Sequence, residues 1–217
     1  MNQERKMFER KLEQKEVKLI HKIIGFIELK HSGSEGHDYS HVLEVVRYSI
    51  QIAERISDKV DPFILIVGAL FHDIGRVDAP SGQLHGLMGG SIAEEFLDTT
   101  WVDEKTVKKI CSIVVRHTPT SMLPPQTTEE KIVFDADALD RMGLMGMLRG
   151  IMGKAGSIKE ILENRLEKRK NDFSLLHYKE SKELGRAMYK ETLLLIKLIG
   201  NSLKRRIHNI EEIRLPV

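Results

Sequence analysis

Residues 63–76 read FILIVGALFHDIGR, from Phe63 to Arg76. The first eight, Phe63 to Leu70, are apolar on every face. A helix apolar all round belongs in the middle of a core. This one runs into His72-Asp73. An imidazole and a carboxylate are costly to bury unless a metal or a charged partner holds them. The fold is therefore expected to close around this helix, with other stretches supplying those partners.

Just upstream, Ser57–Pro62 is a turn, with Asp61 as cap and Pro62 at the first helical position. Gly75 is expected to mark the end of the central helix. A helix over about 41–56 precedes the turn, with Val42, Val45, Val46, Ser49, Ile52, Ala53 and Ile56 on its core face. His41 sits at its start, Asp38 or Ser40 could cap it, and His37 lies in the Gly/Ser loop before it. Residues 3–30 read as a helix, charged at first and then amphipathic through Val17, Leu19, Ile20, Ile23, Ile24 and Ile27.

Downstream, a helix over about 85–97 puts His85, Met88, Gly89, Ile92 and Phe96 on one face. The pair Gly89-Gly90 costs roughly a kcal/mol per glycine inside a helix, which implies close backbone approach to a neighbouring helix or a ligand. The helix of 103–117 is capped by Asp103 and lines up Val107, Ile110, Ile113, Val114 and His117. A Pro-rich loop follows. A helix from Thr128 aligns Val133, Ala136, Asp137 and Asp140. GLMGMLRGIMGKAG suggests a short bent helix. Residues 157–170 and 177–207 read as two more, with a fraying tail.

Composition narrows the class. The chain has 217 residues, 41% hydrophobic and 30% charged, as expected of a soluble globular protein. A net charge of +2 argues neither for nucleic acid nor for a membrane surface. No apolar run approaches the ~20 residues of a membrane span. The charged N-terminus has no signal-peptide core, so a cytoplasmic location is expected. Cys111 is the only cysteine, which excludes an intrachain disulfide and a cysteine-rich metal site; its apolar surroundings suggest a buried thiol.

Five segments place a metal-competent side chain on a core face: His41, His72 with Asp73, His85, His117 and Asp137. Each alone has an ordinary explanation as a core histidine, a buried cap or an ion-pair partner. Together, one shared divalent cation would satisfy all of them at once, a reading that periodicity alone leaves level with the ordinary ones. Imidazole with carboxylate and no thiolate suits Mn, Fe, Co, Ni or Zn.

At this point the sequence resembles a known family. His41, His72-Asp73 and Asp137 match, in order, the H…HD…D signature of the HD-domain metal-dependent phosphohydrolase superfamily. The contexts GHDYSHVLEVV, LFHDIG and DADALDRMG match as well, and the resemblance covers about residues 30–150. LLHYKES is loosely similar to the small stand-alone members. The resemblance implies an all-α fold, a single HD-domain helical bundle. Residues 1–30 would form an N-terminal helix, 31–150 the core, and 151–217 C-terminal helices completing the same domain.

The resemblance also implies the chemistry. His41, His72, Asp73 and Asp137 would hold a divalent ion, with Mg also compatible. His85 and His117 match the extra histidines of binuclear branches, so a second ion bridged by Asp73 stays open. The ion would activate water against phosphorus in a nucleotide or other small phosphate ester. Asp73, His117 and Arg76 are the expected catalytic groups; His85, His117 and Arg76 would contact substrate. Arg141 and Lys154 are weaker phosphate cations, and Asp140 could orient a ligand histidine. His177 could enter the cleft. His31 and His208 are expected to be solvated, His21 packed, and Trp101 a staple for its helix. Two other functions fit the same ligands: a di-iron oxygenase and a catalytically silent nucleotide-binding sensor. A homodimer is compatible with the sequence.

Overall fold

The computed structural model describes residues 8–32, 39–76, 84–119, 121, 123–152 and 156–214. Among these the regular structure is helical, with no strand: α1 (Gln14–His31), α2 (Tyr39–Ala53), α3 (Pro62–Phe71), α4 (His85–Asp98), α5 (Glu104–Arg116), α6 (Thr128–Asp140), α7 (Gly143–Ile151), α8 (Ile158–Ile161) and α9 (Lys179–Glu211). A tight turn of 3₁₀ helix, Ile74–Arg76, follows α3.

The central helix is where its composition requires. Every residue of α3 except Ile66 is buried. The Asp61 carboxylate accepts from the backbone N–H groups of Phe63 at 2.8 Å and Ile64 at 3.1 Å, which satisfies two of the free donors at its start. Phe63, Leu65, Leu70 and Phe71 are among the largest fully buried side chains. Each contributes about 1.5–3 kcal/mol on burial. Helices α1, α2, α5 and α6 pack directly on α3. Gly68 lets α5 come close: a Cβ there would lie 2.6 Å from Ile113 Cδ1.

A second helix is equally enclosed. In α6 every residue from Ile132 to Leu139 is buried, although its sequence mixes apolar and acidic positions. Thr127 and Glu130 cap it reciprocally. Its carboxylates divide between two tasks. Asp135 accepts from the N–H groups of His177 and Tyr178, at 2.8 and 3.0 Å, and so fixes the start of α9. Asp137 faces the centre described below.

Several expectations need correction. The N-terminal helix begins at Gln14 rather than residue 3. Before it, the Arg10 guanidinium forks onto Glu16 (2.8 and 2.7 Å) and Asp61 (3.0 Å to each oxygen), tying the irregular lead-in to the cap of α3. The helix expected over 157–170 is α only for Ile158–Ile161; a π turn over Leu162–Leu166 and a 3₁₀ turn over Glu167–Asn171 follow. The tail does not fray at once, since α9 continues to Glu211. Gly75 ends no α-helix: its place reflects close approach, because a Cβ there would lie 2.1 Å from the His85 carbonyl. Gly89 and Gly90 serve the same purpose against α5, meeting Val114 and Val115. Ser40 lies inside α2 rather than at its cap, while His37, Asp38 and Lys154 lie outside the described residues.

Candidate metal centre

Helix ends deliver most of the candidate ligands. His41 is in the first turn of α2, His72 and Asp73 follow α3, His85 opens α4, and His117 follows α5. Asp137 comes from the last turn of α6. All are buried, none more than 5% exposed. Five segments that are distant in sequence thus converge on the end of the central helix.

The Asp73 carboxylate stands in the middle. Its Oδ2 lies 3.5 Å from His41 Nε2 and 3.9 Å from His72 Nε2. Its Oδ1 lies 3.3 Å from His117 Nε2 and 3.4 Å from His85 Nε2. Asp137 Oδ1 is 3.7 Å from His41 Nε2. Two ligand groups result, His41-His72-Asp73 and Asp73-His85-His117, with Asp73 common to both.

Hydrogen bonds on the far side of the rings set which nitrogen is free. His72 Nδ1 donates to the Ala69 carbonyl at 2.7 Å, and His117 Nδ1 donates to the Val114 carbonyl at 2.6 Å. His41 Nδ1 faces Asp140 Oδ2 at 2.7 Å. In each case Nε2 is left to point inward with its lone pair. The inward nitrogens meet in pairs: His41 with His72 at 3.2 Å, and His85 with His117 at 3.2 Å. Such a pair is satisfied by a proton on one of the two nitrogens or by a cation between them. Two donors each about 2.1 Å from one ion stand roughly 3–3.4 Å apart. The residues therefore fit a divalent ion by donor type, tautomer and spacing.

The electrostatics agree. Burial pushes the His72 imidazole down to about 3, so it stays neutral and available as a ligand. Burial also pulls on His41, but Asp140 and Asp73 outweigh it and hold its pKa above the ordinary value. Without an ion, a proton on His41 is what the cluster attracts. Burial opposes ionisation of Asp137, yet Arg141, His41 and His72 keep its carboxyl well below the usual range.

Cations surround the cluster. Arg76 Nε is 2.9 Å from Asp73 Oδ1, the oxygen that faces His85 and His117. The Arg141 guanidinium is paired with Asp137 Oδ2 at 2.5 Å and Asp172 Oδ2 at 3.4 Å. Arg149 is 2.6 Å from Asp140 Oδ2, the same oxygen that orients His41. Arg169 reaches Asp172 at 3.4 Å from the irregular stretch after α8. The orienting role expected of Asp140 fits this geometry. Arg149, Arg169 and Asp172 were not among the sequence candidates. Arg149 carried a signal, as the only charge between Met142 and Met152; Arg169 sits in a charged run and carried none.

Other polar residues differ from expectation. His177 turns away from the cluster, with Nδ1 2.8 Å from Asp135 Oδ1 and its ring edge-on to Phe134. His31 is buried rather than solvated, and His21 is exposed rather than packed. His208 is exposed, as expected. Trp101 stacks on Phe63 with the Lys15 ammonium 4.4 Å from its ring centre, tying α1 to α3. Cys111 is half-buried, with its thiol pushed up to about 11 by burial.

Comparison with known proteins bears on the fold that carries this arrangement. The HD domain family matches residues 38–142. The YpgQ protein of Bacillus subtilis is 30% identical over 125 residues, which is 55% of this chain and 58% of that protein, so the aligned stretch spans less than two thirds of it. In three dimensions, the structure of B. subtilis YpgQ in complex with ADP superposes with a TM-score of 0.66 at 22% identity, covering 86% of this chain and 96% of that one. An HD-superfamily hydrolase from Bacillus thuringiensis gives 0.63 at 20% identity, covering 87% and 98%. The family match takes in just under half of the chain, and the all-α fold is similar to that of the solved HD-superfamily hydrolase.

Proposed function

From this site and the match to the HD domain family we propose that the chain is a metal-dependent phosphohydrolase acting on a nucleotide or another small phosphate ester. The observation that carries the reading is the placement of Asp73 between two pairs of inward-facing imidazole nitrogens. His41, His72, Asp73 and Asp137 are the ligands of the first ion. His85, His117 and Asp73 Oδ1 form the second position, for an ion or for a phosphoryl oxygen. An ion held there supplies an acidified water and a Lewis acid for phosphorus.

The side chains do the rest. Ala69 and Val114 carbonyls, with Asp140, hold three imidazoles in the tautomer that presents Nε2. Arg149 fixes Asp140, and so fixes His41 at one remove. Arg76 is partly exposed at 26% while it touches Asp73, so its remaining N–H groups can meet an equatorial phosphoryl oxygen. Phosphoryl transfer asks mainly for such positioning and charge neutralisation. A nucleotide as substrate accords with the ADP bound in the YpgQ structure.

The test is hydrolysis of bis-p-nitrophenyl phosphate, then of a panel of nucleotides and phosphorylated metabolites, by the metal-loaded chain. Turnover that needs Mn²⁺, Co²⁺ or Ni²⁺ and disappears in His72→Ala supports the reading. Metal-loaded protein that binds nucleotide and releases no product contradicts it.

A further inference from the structure

Asp137 has two oxygens and two claims on them. Its Oδ1 faces His41 Nε2 at 3.7 Å, inside the proposed metal centre. Its Oδ2 accepts from Arg141 Nη1 at 2.5 Å, one helical turn on. A guanidinium and a divalent ion are thus set on the two sides of one carboxylate. They repel each other, and both draw on the same negative charge. Arg141 needs a second anion if it is to stay in place beside an ion.

That anion comes from the irregular stretch after α8. Arg141 Nε donates to Asp172 Oδ2 at 3.4 Å, and Arg169 Nη1 donates to the same oxygen at 3.4 Å. Asp172 is 7% exposed. The departure from α-helix is what delivers it. The turn over Glu167–Asn171 is 3₁₀, with three residues per turn, so Arg169 and Asp172 come to one side. Leu162 and Leu166, earlier in the stretch, are buried in one cluster with Met147 of α7 and Ile196 of α9. Phe173, next to Asp172, stacks on Tyr189 with ring centres 4.6 Å apart. The carboxylate is therefore anchored from both directions along the chain.

This corner is rich in cations. Arg141 Nη2 and Arg169 Nε are enclosed and meet no acceptor among the described residues. Burial, and after it the charge of Arg141, hold the Arg169 guanidinium below its ordinary pKa. Two guanidiniums lean on one Asp172. Losing one partner of a buried charge pair is costly because the other is left uncompensated.

We propose that Asp172 is a positioning residue, the counter-charge that lets Arg141 keep Oδ2 of Asp137 while a metal ion takes Oδ1. The inference rests on Asp137 as a ligand of the proposed metal centre. Through Arg141, Asp172 limits Asp137 to one oxygen towards that centre.

The experiment compares Mn²⁺ binding by titration calorimetry in the full wild-type chain, Arg141→Gln, Asp172→Asn and the double variant. Each is stripped of metal and checked by circular dichroism. Arg141→Gln removes the competing cation and should bind Mn²⁺ about tenfold more tightly. Asp172→Asn strands Arg141 beside the ion and should bind about tenfold more weakly. Asp172→Glu, which keeps the charge, should recover most of that loss. In the double variant, Asp172→Asn should add less than about a twofold change to Arg141→Gln, because it has no Arg141 to act through. A merely structural pair would lower affinity in both single variants. An Arg141→Gln chain that binds Mn²⁺ no more tightly than the wild type overturns the proposal. So does an Asp172→Asn loss of equal size with and without Arg141. A variant that stays unfolded in Mn²⁺ also overturns it, since the pair would then be a prop of the fold. These three results leave a His72-dependent metal centre standing, whereas a wild type that binds no Mn²⁺ removes that centre and this inference together.

Discussion

The two sides of Asp73 look alike and are built differently. On the Oδ2 side, His41 and His72 are joined by a second carboxylate, Asp137, and the whole set is buried. On the Oδ1 side, His85 and His117 have no second carboxylate among the described residues, and a guanidinium, Arg76, already stands 2.9 Å from the oxygen. On the proposed reading, the four protein ligands on the Oδ2 side, two of them carboxylates, hold a resident metal, with Arg141 on the outer oxygen of Asp137. On the same reading, the three ligands on the Oδ1 side, with Arg76 on the oxygen they share, form a position that an ion and a substrate oxygen can both visit. In the proposal one carboxylate thus has two duties, a permanent and an exchangeable position, set apart by the further carboxylate on one side.

Substitutions can break that comparison. Asp73→Ala removes the shared group and should have the largest effect, loss of all bound metal and of hydrolysis, measured by elemental analysis and by nitrophenol release. His72→Ala should also empty the first site, whereas His117→Ala should leave one tightly bound ion per chain and lower turnover. Equal metal loss in the two histidine variants would mean that the sides are equivalent. Arg76→Gln should reduce kcat by about a hundredfold with the resident metal retained, as expected for one lost transition-state donor.

Smaller effects sharpen the same contrast. Asp140→Asn should weaken the first ion about 10–100-fold and leave the second position unchanged. Asp140 also raises the His41 pKa, and a proton on His41 competes with metal. Metal affinity in the wild type should therefore fall as the pH is lowered through that raised pKa, and in Asp140→Asn the acid limb should move to lower pH. A titration calorimetry series across pH checks both. Far from the centre, Arg10→Ala should cost about 1 kcal/mol of stability and leave metal content alone, read from urea unfolding.

Much of this was legible in the sequence, for identifiable reasons. The all-apolar run before His72-Asp73 could only be a core helix, and Asp61-Pro62 announced its start. His85 and His117 were visible because each falls on an apolar stripe at a helix end. The second enclosed helix, α6, was harder, since its acids disguise its burial; Asp135 is held by His177, remote in sequence, and Asp137 pairs with Arg141 one turn on. The break after α8 left no mark, because the helical spacing of Leu162 and Leu166 is compatible with α and π turns alike. His31 and His21 were misplaced because local polarity says little about which face of α1 a neighbour covers.

The most direct test of the central claim is metal stoichiometry. The wild-type chain and His72→Ala, both stripped with chelator and shown folded by circular dichroism, are equilibrated with Mn²⁺, dialysed and analysed for bound metal. The account predicts at least one ion per wild-type chain and none in His72→Ala. A folded His72→Ala chain with the wild-type amount of metal would contradict it.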